Sequence, residues 1–123
     1  MQNIFVYGTL KRGFEFSGAL KDQEFLGNAH TIAEYWMFSL GTYPGLVDAD
    51  GQPGDNISGE VYRVDSKCRR RLDEIECVDS GMYELREVQL ADTGDLDTLS
   101  EPVFAYFFLG SVDHCQRLKI WGS

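Results

Sequence analysis

The chain predicts an α+β domain: a curled, mostly antiparallel β-sheet or barrel with one or two helices. Three observations lead there. Strand-like runs rich in aromatic and β-branched residues recur from Asn3 to Leu109, separated by polar stretches with Gly, Pro and Asp. Only one segment, after Asp65, carries a clear helical stripe. Finally, 123 residues with 43% hydrophobic content suffice for one core, and no repeat or linker divides residues 1–123 into more than a single domain.

The elements follow in order. Asn3–Tyr7 is a short apolar strand. Phe16–Lys21 is a candidate short helix. Glu24–His30 and Thr31–Leu40 form an aromatic-rich stretch, two strands or one bent one. Tyr43-Pro44-Gly45 reads as a turn before Leu46-Val47. Asp48–Asn56 is a polar loop containing Gly51, Pro53 and Gly54. Ile57–Val64 alternates as a strand does. Asp65 or Ser66 then caps a helix whose residues Cys68, Leu72 and Ile75 recur at four and three, giving one apolar stripe that ends near Glu76–Asp79. Tyr83–Ala91 and Val103–Leu109 are the remaining strands, with Asp92–Glu101 as the loop between them. Many strands with one or two helices is the α+β pattern.

Composition narrows the function. A net charge of −9 argues against nucleic acid or an anionic membrane as the main partner, because both need basic patches. The single basic cluster, Arg69-Arg70-Arg71, is followed at once by Asp73, Glu74 and Glu76. There is no cleavable signal and no apolar run long enough to span a bilayer. Cys68, Cys77 and Cys115 are odd in number without CxxC spacing, so a reduced cytoplasm is the expected setting, and there the sequon Asn56-Ile57-Ser58 has no meaning.

Several apparent sites fail on spacing. Asp48-Ala49-Asp50-Gly51 begins like a calcium loop, but Pro53 stands at the glycine position and Gly59 at the closing glutamate. A second such start at Asp95 would close on Tyr106. His30 and His114 lie far apart without metal-site spacing, so no metal is expected. In Asp113-His114-Cys115 the adjacent side chains do not converge, and a tail segment is the better reading.

Two features remain. Tyr7-Gly8-Thr9-Leu10-Lys11-Arg12-Gly13 follows the first strand, and such a glycine-opened loop can turn successive N–H groups toward an anion. Phe14 and Glu15 replace the Lys-Ser/Thr pair of a nucleotide-binding loop, so a small carboxylate fits better than a polyphosphate. By spacing alone the stretch reads first as a strand and a basic surface turn. The second feature is Glu76, at the C-terminal end of the predicted helix, where exposed carbonyls disfavour a negative charge. That position and the nearby Leu72 and Ile75 would push its carboxyl toward the neutral form and suit it to proton transfer near neutral pH. The simpler reading is a solvated glutamate paired with one of Arg69–Arg71.

Taken together these pieces resemble one family. Phe5-Val6-Tyr7-Gly8-Thr9-Leu10-Lys11-Arg12-Gly13 resembles the opening strand and substrate loop of the gamma-glutamylcyclotransferase-like superfamily, and most closely its gamma-glutamylamine cyclotransferase and AIG2-like branch. Tyr43-Pro44-Gly45 is similar to that family's second turn. Leu72-Asp73-Glu74-Ile75-Glu76 is similar to its Leu-Asp-x-x-Glu helix end, whose last residue is the catalytic glutamate. Tyr83 and its strand, then Val103–Phe108, continue the match, which spans about residues 3–108. One departure stands out. The family's Tyr-x-Arg becomes Tyr83-Glu84-Leu85-Arg86, which sends Arg86 to the opposite face of its strand unless a bulge intervenes.

The resemblance implies an intramolecular aminolysis of a small gamma-glutamyl substrate. The α-amino nitrogen closes on the gamma-carbonyl, giving 5-oxoproline and a free amine or amino acid. Glu76 is implied as the catalytic acid and base. Tyr7, Gly8, Thr9 and Leu10 are implied as the substrate-binding loop, and Tyr83 as a pocket wall or hydrogen-bond donor. No cofactor is implied, because the nucleophile belongs to the substrate. The alternative is a small-molecule-binding module on the same fold that has lost turnover.

Overall fold

The computed structural model describes residues 1–14, 17–91 and 101–122. Phe16, the Asp95 loop and the predicted loop Asp92–Glu101, apart from Glu101 itself, lie outside the described residues. The architecture is one domain: a curled mixed sheet carrying one α-helix. Its strands are β1 (Gln2–Val6), β2 (Glu24–His30), β3 (Tyr35–Ser39), β4 (Pro44–Asp48), β5 (Ser58–Val64), β6 (Tyr83–Val88), β7 (Val103–Phe108) and β8 (Gln116–Leu118). The helix α1 spans Ser66–Ile75, and a 3-10 turn occupies Ser17–Leu20 where the sequence predicts a short helix.

The sheet runs β2-β5-β1-β7-β4-β3-β8, with β6 paired to β7 off this path. Five pairings are antiparallel: β1 with β5, β2 with β5, β3 with β4, β3 with β8, and β6 with β7. Two are parallel, both made by β7. It takes β1 through Asn3↔Val103 and Ile4↔Phe104, then β4 through Leu46↔Phe107. Its other edge is filled by β6 along its whole length, from Tyr83↔Phe108 to Val88↔Val103. One edge of β7 therefore serves two strands in succession, and the sheet forks between Phe104 and Phe107.

Strand alternation distributes the core over both faces of this sheet. Phe5, Tyr35, Met37, Leu46, Ile57, Val61 and Phe107 pack on one face. Ile4, Val6, Tyr62, Val64, Tyr83 and Tyr106 form the other, covered by Leu20, Cys68 and Leu72. The helix supplies Cys68 and Leu72 from the predicted stripe, and Leu72 is fully buried. Burying such a leucine is worth roughly 1.5–3 kcal/mol. Asp65 is the N-cap, its side chain accepting the Cys68 N–H at 2.7 Å.

One local expectation is corrected and one strand is added. Pro44 and Gly45 are not a turn but the first residues of β4, because the β3–β4 hairpin turns earlier, at Gly41 (φ +112). Leu40 N–H donates to Tyr43 C=O at 2.9 Å, which closes that turn. Asp113-His114-Cys115 stays outside any strand, but Gln116–Leu118 just after it, which the sequence does not assign to an element, forms β8 against β3. Among the described residues no helix is long and apolar enough to cross a membrane.

Candidate functional site

The site lies at the fork. At Ala105 and Tyr106 β7 is paired only with β6, since β1 has left and β4 has not yet arrived. The phenol of Tyr7 fills the gap. It donates to Tyr106 C=O at 2.6 Å and accepts from Leu46 N–H at 3.2 Å, both bonds buried. A side chain thus replaces the missing stretch of ladder and satisfies two backbone groups that burial would otherwise leave orphaned.

After Tyr7 the chain makes two turns. Lys11 N–H donates to Gly8 C=O at 3.0 Å, and Phe14 N–H to Lys11 C=O at 3.0 Å. Gly13 holds φ +85 in the second. The N–H groups of Thr9 and Leu10 meet no acceptor among the described residues. Gly8 is needed for a different reason from a positive φ. A Cβ there would stand 2.6 Å from Pro44 Cγ, so the loop is packed directly on the start of β4.

Glu76 arrives from the opposite side as the C-cap of α1. Val78 N–H bonds Asp73 C=O at 3.0 Å and Cys77 N–H bonds Glu74 C=O at 3.2 Å, which is the Schellman pattern. Cys77 takes the left-handed position, φ +53, usually given to glycine. The motif stops the helix and fixes where Glu76 leaves it. The carboxyl is half-buried and forms no ion pair among the described residues. Burial pushes it up to about 7. The simpler sequence reading, a glutamate paired with the arginine cluster, does not describe it: Arg69 pairs with Asp73 at 3.1 Å.

One cavity of about 20 Å³ gathers these groups. Phe5, Val6, Tyr7, Gly8, Thr9 and Leu10 form one wall; Glu76, Tyr83, Tyr106, Tyr43 and Pro44 form the rest. All six residues that the sequence singled out, Tyr7, Gly8, Thr9, Leu10, Glu76 and Tyr83, are on this lining. Tyr83 donates its hydroxyl hydrogen to Pro44 C=O at 2.7 Å. Its phenol is therefore a wall whose donor is already committed. Burial, with the Glu76 charge nearby, raises the Tyr7 and Tyr83 phenols above their ordinary range. Tyr106 is raised by burial and by Asp73, to which it donates at 2.7 Å.

Arg86 is not part of the site. Tyr83–Val88 pairs with β7 without a bulge, so Arg86 emerges on the other face. There it pairs with Asp48 and Glu84 and lies 4.4 Å over the Phe107 ring. Sequence reasoning missed Tyr43, Pro44 and Tyr106 as lining residues. Alternation along Phe104-Ala105-Tyr106-Phe107-Phe108 was a signal for Tyr106, which shares a face with Phe104 and Phe108.

A family model described as "Gamma-glutamyl cyclotransferase, AIG2-like" matches residues 4–121. A putative gamma-glutamylcyclotransferase of Vibrio cholerae is 40% identical over 75 residues, covering 61% of this chain and 62% of that protein. A gamma-glutamylaminecyclotransferase of Bos taurus is 38% identical over 99 residues, covering 74% of this chain and 57% of that one. The matches thus span about three fifths of those relatives' lengths. The solution structure of protein ytfP from Escherichia coli superposes with a TM-score of 0.68 at 28% identity, covering 97% of this chain and 93% of that one.

Proposed function

The chain belongs to the gamma-glutamyl cyclotransferase, AIG2-like family, and from that premise we propose that its single domain converts a gamma-glutamyl amine or gamma-glutamyl amino acid to 5-oxoproline and a free amine. The observation that carries the reading is Glu76: a half-buried carboxyl, raised to about 7, across one cavity from a loop with two N–H groups that meet no acceptor among the described residues. A group that titrates near working pH can both accept and return a proton.

The steps balance without an outside reagent. Glu76 takes a proton from the α-ammonium of the substrate. The freed nitrogen forms a bond to the gamma-carbonyl carbon, closing a five-membered ring. The bond from that carbon to the leaving nitrogen then breaks as Glu76 returns the proton to it. The second proton, shed by the ring nitrogen as it becomes the lactam N–H, passes through Glu76 to the departing amine, which leaves as its ammonium. The Thr9 and Leu10 N–H groups hold the α-carboxylate or the carbonyl oxygen. Folding the substrate back on itself adds a proximity gain of up to several kcal/mol. The nucleophile is the substrate's own, so this chemistry asks for no cofactor. The Cys68, Cys77 and Cys115 thiols are free, which suits a reducing cytoplasm.

A cavity of about 20 Å³ holds little more than one water, so its lining must open to admit a substrate. The experiment is incubation with a panel of gamma-glutamyl amino acids and amines, with 5-oxoproline as the readout. Release of 5-oxoproline supports the reading. Binding of 5-oxoproline without turnover on any member would favour a non-catalytic binding module instead.

A further inference from the structure

The C-terminal segment is tied to the loop of the candidate site by a buried charge. Lys11 is only 7% exposed, and lysine is almost never that buried without a partner. Its Nζ donates to Trp121 C=O at 2.9 Å, across 110 residues of chain. The ammonium also lies 5.0 Å over the Phe14 ring. Gly122 packs against that same ring so closely that a Cβ would overlap it. Farther back, Ser58 N–H donates to Lys119 C=O at 3.0 Å, and Trp121 packs on the core. The tail is therefore held at several points and reaches the loop through Lys11.

Lys11 is also where the first loop turn closes, its N–H on Gly8 C=O. The next residue is pinned as well: Arg12 N–H donates to Glu60 Oε1 at 3.0 Å. Between the Pro44 contact at Gly8 and these two anchors lie Thr9 and Leu10, whose N–H groups meet no acceptor among the described residues. Lys11 does not line the Glu76 cavity. It faces a separate polar cleft with Asn28, His30, Ser58 and Glu60. A methylene chain alone would fill the same space. What the ammonium adds is a directional bond, bought with the desolvation of a charge.

We infer that Lys11 is a positioning residue that couples the C-terminal segment Lys119–Gly122 to the aim of the Thr9 and Leu10 N–H groups. The inference rests on the cyclotransferase reading for its effect on turnover, but not for its effect on the loop. In the full chain, Lys11→Met keeps the stem and removes the tie, Lys11→Arg restores a donor, and Gly122→Val dislodges the tail. The readouts are amide hydrogen exchange at Arg12 and Phe14, whose N–H groups are hydrogen-bonded where the loop is anchored, kcat/KM for 5-oxoproline release, and Tm.

Lys11→Met should speed exchange at both amides by at least about tenfold while Val61 in β5 keeps its protection. It should lower kcat/KM by about tenfold or more, since small misplacements of binding groups cost that much. Lys11→Arg should recover both, and adding Gly122→Val to Lys11→Met should cost little more, because the two act on one contact. Exchange at the parent rate in Lys11→Met would overturn the inference, as would full additivity of the two substitutions. If the parent releases no 5-oxoproline but exchange responds as described, the tie stands and the cyclotransferase reading falls.

Discussion

Tyr7 OH lies 2.6 Å from Tyr106 C=O and holds the sheet together at the point where β1 and β4 exchange places along β7. The same oxygen accepts from Leu46 N–H at 3.2 Å, so one phenol bridges β7 and β4 where their pairing, Leu46↔Phe107, begins. Tyr7→Phe keeps the ring and leaves both backbone groups without a partner. Each such loss costs about 1–3 kcal/mol. The variant should unfold at clearly lower denaturant concentration with an unchanged m-value, and an unchanged midpoint would show that the fork does not depend on the phenol.

Glu76→Gln separates proton transfer from shape. Turnover should fall at least ~10²-fold, the low end for general acid–base help, while calorimetry still registers 5-oxoproline binding. In the parent, kcat/KM should rise with pH through about 7, as the carboxyl that must accept the proton ionises. A glutamine variant that turns over like the parent would remove Glu76 from the chemistry.

The same carboxyl makes stability depend on pH. Its folded value, about 7, lies above its ordinary value of 4.5. The folded state thus holds the proton more tightly, and the parent loses stability as pH rises from about 4.5 to about 7. Glu76→Gln does not titrate. Its stability relative to the parent should climb through that window and level off above it, by about 2 kcal/mol after allowance for partial exposure. Urea midpoints for both proteins at pH 4 and pH 8 give the difference directly, and parallel behaviour would mean the carboxyl is well hydrated in the fold.

Gly8→Ala tests the contact between the loop and β4. The added Cβ would meet Pro44 Cγ at 2.6 Å, so loop or strand must move. Overpacking of this kind costs typically 1–3 kcal/mol. Gly18→Ala is the control, since a Cβ there meets nothing within 4 Å. Thermal unfolding should separate the two, and only Gly8→Ala should weaken 5-oxoproline binding.

Cys77→Gly should raise stability or leave it unchanged. Cys77 holds φ +53 at the Schellman position, and left-handed backbone costs a non-glycine residue about 1 kcal/mol or more. Glycine removes that cost without touching the Val78 and Cys77 hydrogen bonds. A loss above about 1 kcal/mol in chemical denaturation would mean the thiol side chain contributes packing.

What was legible in the sequence is what local chemistry encodes. The Asp65 cap places the start of α1 to within a residue, the Cys68-Leu72-Ile75 stripe places its end one to four residues late, and that end sets Glu76 where charge is disfavoured. Glu24–His30 is a strand as predicted. The fork was not legible, because parallel pairing of β1 with β7 joins residues about a hundred positions apart and leaves no local signature. The β8 strand is three residues long, too short to show alternation. Pro44 and Gly45 look like a turn because their residue types favour one, yet Gly41 turns the chain first. Arg86 behaves as its one-residue displacement requires.

The parallel pairing of β1 with β7 also sets an order of events during synthesis. β1 emerges first, but its partner strand begins at Val103. At ~5–20 residues per second, Ile4-Phe5-Val6 waits on the order of 5–20 s for that partner. Until then only the β5 side of β1 can close, the Tyr7 phenol has no carbonyl to hold, and an apolar strand edge stays open to other nascent chains. Ribosome-bound chains arrested before Val103 should remain protease-sensitive around Tyr7, and those arrested well past Phe108 should not. The pocket is thus among the last parts of the molecule to exist, and its assembly reports that the chain has been made through β7.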